Sequence, residues 1–226
     1  MTEREEIERA VMINVTAPPN TGKTLIGKCL GEYYSERGLT VARVKYPVYK
    51  PEDFGAIDYE KTGERINAYI REGNPENWDV RTAQQFYAKN RIYFDEMIGI
   101  WRREKDVIIS EDGKYSSIIW GPIMDQNLKR EEIEVWNRGI IEPHICFTLR
   151  GPRLNGIEPN HKFETSGDDK WLRCKKMHLS MAEELEWAII DYEKKEGEEE
   201  INKEAGRVSM EIITASEFLF ERRKII

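Results

Sequence analysis

The sequence predicts an α/β protein of three layers, in which a five-stranded parallel sheet lies between helices. Two observations predict this class. Short apolar runs of the type found in buried parallel strands alternate with segments that have helical spacing. The chain of 226 residues is also long enough for one such domain with a full core. A doubly wound sheet binds its ligand beyond the carboxyl ends of the strands, so we expect the functional site there.

The elements follow one another in a regular order. Apolar runs predict strands at about residues 11–16, 39–46, 106–110, 144–149 and 187–191. Helical spacing predicts helices at about residues 22–37, 62–72, 81–103, 131–138 and 170–184, with a closing helix after the charged run 194–204. Gly38 and Gly73 follow two of these helices as C-terminal stops, and Pro47 ends the second strand. Residues 1–10 are expected to form a polar lead-in.

Residues 11–24 place a Gly-Lys-Thr sequence between a predicted strand and a predicted helix. This context is typical of a phosphate-binding loop, G-x-x-x-x-G-K-[ST], whose backbone N–H groups and helix N-terminus surround an anion. We expect Lys23 to reach the outer phosphates of ATP and the Thr24 hydroxyl to ligate Mg²⁺. The rest of the predicted ATP site is Pro19, Asn20, Thr21, Gly22 and Leu25. Ala17 replaces the first Gly, and the alternative interpretation is a chance turn with a surface lysine.

Composition excludes several classes of function. The net charge of -7 argues against non-specific binding to nucleic acid, which needs a cationic field. No apolar span of about 18 residues occurs, so no membrane association is expected. The N-terminus is acidic and has no signal core. Cys29, Cys146 and Cys174 provide neither a disulfide framework nor a paired metal motif, which favours a cytoplasmic location.

Polar residues follow the predicted strands where a ligand would bind. Lys45 and Tyr46 end the second strand, Glu111 and Asp112 follow the third, and Arg150 follows the fourth. Residues 150–169 are polar and contain Gly and Pro, as is typical of a mobile flap over a site.

These motifs together resemble the thymidylate kinase family of P-loop nucleoside monophosphate kinases, over about residues 11–192. The phosphate loop, Lys45-Tyr46-Pro47, the segment 85–91 (QFYAKNR), Glu111-Asp112 and the flap occur in the family's order. The resemblance implies a P-loop NTPase fold and a single kinase domain over residues 1–226, with a lid at about 150–169. It also implies transfer of a phosphoryl group from ATP, with Mg²⁺, to a deoxynucleoside monophosphate, dTMP first. Family relatives are often homodimers through helices like that of residues 81–103, so a homodimer is plausible.

The resemblance assigns roles around the acceptor nucleotide. Tyr87 and Arg91 are four residues apart and share one helix face, where they would stack on a base and bind its edge. The alternative is that Tyr87 is a core residue and Arg91 a surface cation. Tyr46 would line the same pocket, and Lys45 or Lys50 would hold the acceptor's phosphate. Glu111 matches the family's Asp that orients Mg²⁺.

Other positions depart from the family pattern. Asp112, at a position expected to bind the acceptor, stands where the family has an Arg for the acceptor's phosphate. Either Lys114 takes over that role, or Asp112 is a second carboxylate on the metal side. Gly113 replaces the family's Tyr, so Tyr115 or Trp120 would fill that space, and Pro19 replaces an Asp in the loop. In the flap we expect the following residues to clamp the transferring group, the first two as the main candidates and the last two in reserve: Arg150, Arg153, Lys162 and His161.

These departures leave two further interpretations open. One is a kinase of another deoxynucleotide or of a nucleoside, and the other is a nucleotide-binding regulator without transfer activity. His144 and His178 are expected to be structural, because one begins a strand after a proline and the other lies in an amphipathic helix.

Overall fold

The computed structural model describes residues 9–156 and 158–223. Five strands form one parallel sheet in the order β2-β3-β1-β4-β5. The strands are β1 (Val11–Thr16), β2 (Val41–Lys45), β3 (Val107–Glu111), β4 (Ile145–Arg150) and β5 (Ala188–Asp191). The predicted α/β class and five-stranded parallel sheet are therefore confirmed. The predicted lead-in at residues 1–10 lies mostly outside the described residues.

Seven α-helices flank the sheet in the described part of the chain. They are α1 (Lys23–Glu36), α2 (Thr62–Arg71), α3 (Val80–Glu104), α4 (Lys114–Met124), α5 (Arg130–Trp136), α6 (Asp168–Glu184) and α7 (Glu198–Arg223). A short 3₁₀ turn at Pro51–Phe54 precedes α2. Helix α4 was not predicted from the sequence. It is largely buried and contains Pro122, so its sequence shows neither a clear apolar stripe nor an uninterrupted helical composition.

The central strand β1 is buried on both faces and separates two layers of helices. Val11, Ile13 and Val15 belong to the core on the side of α1 and α7. Met12, which points to the other face, packs with Phe94 of α3 in a second core. This is why β1 is mostly apolar on both faces, although it also buries Asn14 and Thr16.

The strand register places the ends of three strands at one edge of the sheet. Glu111 is the last residue of β3, one residue later than predicted, and it pairs with Val15 of β1 and Lys45 of β2. The phosphate-binding loop leaves β1 directly beyond this edge. On the other side of β1, Arg150 of β4 pairs with Asp191 of β5.

The segment between β4 and α6 crosses this same edge without forming a helix or strand in its described residues. The Leu154 amide donates to the Asn20 carbonyl (2.8 Å), and the Lys162 amide donates to the Ile70 carbonyl (3.1 Å). The Trp171 indole N–H, in the first turn of α6, donates to the Pro19 carbonyl (2.8 Å). The segment is therefore tied both to the phosphate loop and to the end of α2.

Among the helices of residues 9–156 and 158–223, none combines the length and apolar character that a membrane span requires.

Candidate active site

A cavity of about 380 Å³ opens at the carboxyl edge of the sheet. Its walls come from the phosphate loop, the ends of β2 and α2, one face of α3, the start of α4 and the segment before α6. The structure brings these predicted residues to its lining: Pro19, Asn20, Thr21, Gly22, Lys23, Thr24, Lys45, Tyr46, Tyr87, Arg91, Asp112, Trp120 and His161. One cavity therefore joins the loop to the predicted base-binding residues.

The predicted phosphate-binding loop, residues 17–24, contains two residues with positive φ. Asn20 and Gly22 have positive φ values of 58° and 84°, whereas Ala17 does not, so the Ala at the first motif position carries no such strain. The Lys23 ammonium donates to the carbonyls of Ala17 (2.8 Å) and Pro18 (2.9 Å). Lys23 is only 9% exposed, so the interpretation of a surface lysine does not hold.

Thr24 and Glu111 offer two hard oxygens at the end of the loop. The Thr24 hydroxyl donates to Glu111 Oε2 (2.8 Å), and the carboxylate is buried at the end of β3. Lys45 Nζ lies 3.4 Å from the Thr24 hydroxyl, and Arg43 lies 3.6 Å from the other carboxylate oxygen. Mg²⁺ takes one or two protein oxygens and keeps several waters, so this donor pair fits it.

The far end of the cavity is formed by Tyr87 and Arg91. Both are buried, so the interpretation of Arg91 as a surface cation is wrong. The Arg91 guanidinium donates to Asn137 Oδ1 (3.0 Å) and to the Ser117 hydroxyl (2.8 Å). Burial lowers the pKa of Arg91 to about 10, which leaves the group protonated at neutral pH.

Three buried polar atoms at this end have no hydrogen-bond partner among the described residues. They are the Tyr87 hydroxyl, Arg91 Nε and Gln84 Oε1. Buried polar groups normally find hydrogen-bond partners, so their shared position on a cavity wall favours a ligand with a polar edge. The Phe163 and Trp120 rings, 4.8 Å apart, add apolar surface beside them.

Asp112 projects into the same cavity from a strained backbone. Its φ is 65°, and its carbonyl accepts from the Asn14 side-chain amide (2.7 Å). One carboxylate oxygen accepts from the Ser116 hydroxyl (3.0 Å) and lies 3.6 Å from Lys23 Nζ. The structure therefore places a negative charge opposite the phosphate loop, where the family pattern has a cation.

Several predicted residues lie outside the cavity lining. Arg150 forms a bidentate ion pair with Asp191 (2.6 and 2.6 Å). Arg153 donates to Asp168 (3.2 Å) and to the Glu164 carbonyl. Lys50 is exposed, and Leu25 is half-buried on α1. Tyr115 and Lys114 both bind Glu142, and the Lys162 ammonium lies 3.8 Å from the Tyr69 ring centroid. The roles predicted for Arg150, Arg153, Lys114, Tyr115 and Lys162 would require these contacts to rearrange.

Several residues of the lining were not predicted from the sequence, and four of them carry polar groups that the site could use. Gln84 and Ser117 lie on α3 and α4, Arg71 ends α2, and Glu158 lies in the segment before α6. A basic residue in the last turn of a helix is common and gives no specific signal. Only the tertiary fold brings these residues to one cavity.

Glu158, His161 and Glu164 form a group whose ligand atoms lie within 4.8 Å of one another, a spacing that a metal ion could use. Arg71 already binds Glu158, and His161 Nδ1 accepts from the Glu164 amide (3.2 Å). We assign no ion to this group, because Arg71 already binds both carboxylate oxygens of Glu158.

The chain combines an all-parallel sheet, a Gly-Lys-Thr loop after β1 and a buried carboxylate at the end of β3. Two solved thymidylate kinases are similar to this chain. The enzyme from Candida albicans has a TM-score of 0.72 at 15% identity, over 92% of this chain and 93% of its own. The enzyme from Ehrlichia chaffeensis has a TM-score of 0.65 at 17% identity, over 91% and 98%. No family model and no curated protein matches the sequence. The chain therefore has the thymidylate kinase fold, as the resemblance implied.

Proposed function

We propose that this chain transfers a phosphoryl group from ATP to a deoxynucleoside monophosphate, with dTMP as the first candidate acceptor. The observation that carries this proposal is the single cavity that joins a phosphate-binding loop to a buried Tyr-Arg pair. The thymidylate kinases with the same fold support it further.

The phosphate loop would bind the donor. Its amides and the N-terminus of α1 favour anions, and Lys23 would turn from the carbonyls of Ala17 and Pro18 to the phosphate oxygens. Thr24 and Glu111 would hold Mg²⁺, which when bound neutralises charge on the phosphates. Catalysis then consists of positioning and charge neutralisation.

The buried Tyr-Arg pair would bind the acceptor's base. Arg91 can donate hydrogen bonds but cannot accept them, so it favours a carbonyl oxygen such as thymine carries. The Tyr87 hydroxyl can serve a second polar atom of the base. A monophosphate acceptor is already ionised near neutral pH, so the transfer needs no strong general base.

A second candidate is a kinase whose acceptor is a hydroxyl group, as in a nucleoside. Asp112 favours it, because a carboxylate 3.6 Å from Lys23 Nζ would repel an acceptor phosphate but could accept a proton from an alcohol.

Turnover with paired acceptors separates these candidates. Purified protein would be incubated with ATP, Mg²⁺ and a single acceptor. Each nucleoside would be compared with its own monophosphate, and the products would be resolved by anion-exchange chromatography. We expect dTDP and ADP in equal amounts from dTMP. Phosphorylation of thymidine alone would support the hydroxyl acceptor. Binding of ATP without product from any acceptor would contradict both and favour a regulator.

A further inference from the structure

Arg71, the last residue of α2, holds a carboxylate at the mouth of the cavity. Its Nε donates to Glu158 Oε1 (2.6 Å) and its Nη2 donates to Glu158 Oε2 (3.1 Å). The remaining Nη1 donates to Asn67 Oδ1 (3.0 Å), and the guanidinium lies 4.7 Å from the Tyr49 ring centroid. The fork is thus fixed in orientation and points two donors at one anion.

A guanidinium fork binds a carboxylate and a phosphate with the same geometry. Glu158 therefore accepts from the two Arg71 donors that a phosphate could bind. The side chains of Arg71 and Glu158 are 25% and 42% exposed, so water screens their pair and its disruption costs little. A phosphate carries more negative charge and more acceptor oxygens than a carboxylate, so it can compete for the same donors.

The other cations of the cavity have different positions. In residues 9–156 and 158–223 the Lys and Arg side chains that line it are Lys23, Lys45, Arg71 and Arg91. Lys23 belongs to the phosphate loop, and Lys45 lies against Thr24 of the same loop. Arg91 is bound by α4 and by Asn137 at the buried end. Arg71 therefore remains as the cation at the mouth of the cavity. The positions that match the family pattern hold Asp112, which is negatively charged, and Lys114, which lies outside the cavity lining.

We propose that Arg71 binds the phosphate of the acceptor nucleotide, and that Glu158 is a built-in competitor that occupies Arg71 until that phosphate displaces it. The inference rests on the proposed function, because it assumes a monophosphate acceptor. It assigns the acceptor's phosphate to a residue on the end of α2 and couples acceptor binding to release of the Glu158 carboxylate.

Calorimetric titration with dTMP and with thymidine tests the inference, since the ratio of the two affinities isolates the phosphate. We expect Arg71→Met to weaken dTMP binding about tenfold or more and to leave thymidine binding unchanged. Glu158→Gln should strengthen dTMP binding severalfold, because the competing charge is gone. Arg65→Met is the matched control: Arg65 lies on the same helix and pairs with Glu76 outside the cavity, so the ratio should not change.

Two results would overturn the inference. One is an unchanged ratio of the two affinities in Arg71→Met, which would indicate that the Arg71–Glu158 pair is purely structural. The other is weaker dTMP binding in Glu158→Gln. If Arg71→Met leaves the ratio of dTMP to thymidine affinity unchanged while dTDP is still formed, the inference fails and the proposed function stands. If the ratio depends on Arg71 but no product forms, the inference stands and the proposed transfer fails. Thermal unfolding of each variant verifies that it folds, and Glu158→Gln tests the competition even if Arg71→Met does not.

Discussion

Lys23 is the residue on which the donor site depends most. Its ammonium is buried at the loop and held by two carbonyls, so it can reach phosphate oxygens with a short movement. We predict that Lys23→Met lowers kcat/KM about 10²- to 10³-fold, because one positioned donor to the transferring group is lost. The measurement is steady-state transfer, with circular dichroism to verify the fold.

Lys28→Met is the matched control for this prediction. Lys28 lies on the outer face of the same helix, where it pairs with Glu32 (3.6 Å). Its replacement should leave transfer unchanged. Equal losses in both variants, or full activity of Lys23→Met, would contradict the role of Lys23.

Arg91 is predicted to act on the acceptor rather than on ATP. We expect Arg91→Ala mainly to raise KM for the acceptor, because the base loses its donor. Truncation also removes the donor that Asn137 Oδ1 and the Ser117 hydroxyl accept from, which should cost about 1–3 kcal/mol of unfolding free energy. Separate determination of KM for each substrate, together with urea unfolding, tests this. An acceptor KM equal to that of the wild type would remove Arg91 from the base site.

At the residue scale, a local motif places its own members side by side in the sequence. Lys23 and Thr24 follow from one contiguous loop, and Tyr87 with Arg91 from the geometry of one helix. The sequence could not predict that Arg150 is held by Asp191, because that pair depends on the register between two strands. It could not find Arg71 either, since no local pattern distinguishes it from an ordinary cation at a helix end.

At the scale of elements, α2 approaches the chain before it so closely that its first turn needs glycine. A Cβ on Gly63 would lie 2.3 Å from the Tyr49 carbonyl oxygen and 2.6 Å from that of Val48. We predict that Gly63→Ala lowers the unfolding free energy by about 1–3 kcal/mol or more, because backbone must move. Urea denaturation measures the loss.

Gly206→Ala provides the comparison for that prediction. Gly206 lies inside α7, and a Cβ there would meet nothing within 4 Å. The substitution should stabilise the protein by up to about 1 kcal/mol through helix propensity. Destabilisation at Gly206 comparable to that at Gly63 would contradict the explanation by close approach.

Helix α6 buries His178, which makes the fold sensitive to acid. Burial lowers the pKa of His178 to about 4, against the upward effect of its hydrogen bond to the Cys174 carbonyl, with Lys23 and Asp112 nearby. The unfolded chain binds the proton near pH 6.5, so unfolding free energy should fall as pH drops from there towards 4. The full loss is about 3 kcal/mol.

Comparison of wild type with His178→Gln tests this dependence, since carboxylates contribute equally to both. The difference in unfolding free energy should be constant above pH 7 and should change between pH 6.5 and 4. Parallel curves across that range would show that His178 does not bind a proton on unfolding.

The sequence predicted most elements because buried parallel strands and amphipathic helices leave strong periodic signals. Helix α4 was not predicted, because it is mostly buried and contains Gly121 and Pro122. Its sequence therefore resembles neither a strand nor an amphipathic helix. The course of the segment before α6 could not be predicted, since it is fixed by contacts to Asn20 and to Ile70, which are distant in the sequence.

At the scale of the whole molecule, the cavity exists only in the folded chain. Its walls come from residues between Ala17 and Glu164, and the sheet order brings the loop after β1 beside the ends of β2 and β3. The order of motifs along the chain predicted this arrangement, although identity to the solved kinases is only 15–17%. What the order could not provide is the charge pattern of the acceptor end, where Asp112 and the Arg71–Glu158 pair face the cavity.

The central claim is that the donor's phosphates and the acceptor's base occupy opposite ends of one cavity. A crystal structure with a bisubstrate analogue, in which adenosine and thymidine are joined by a polyphosphate, tests it most directly. We predict phosphates against the amides of residues 17–24 and Lys23, and thymine against Tyr87 and Arg91. Phosphates outside the loop, or a thymine bound away from that pair, would contradict the claim.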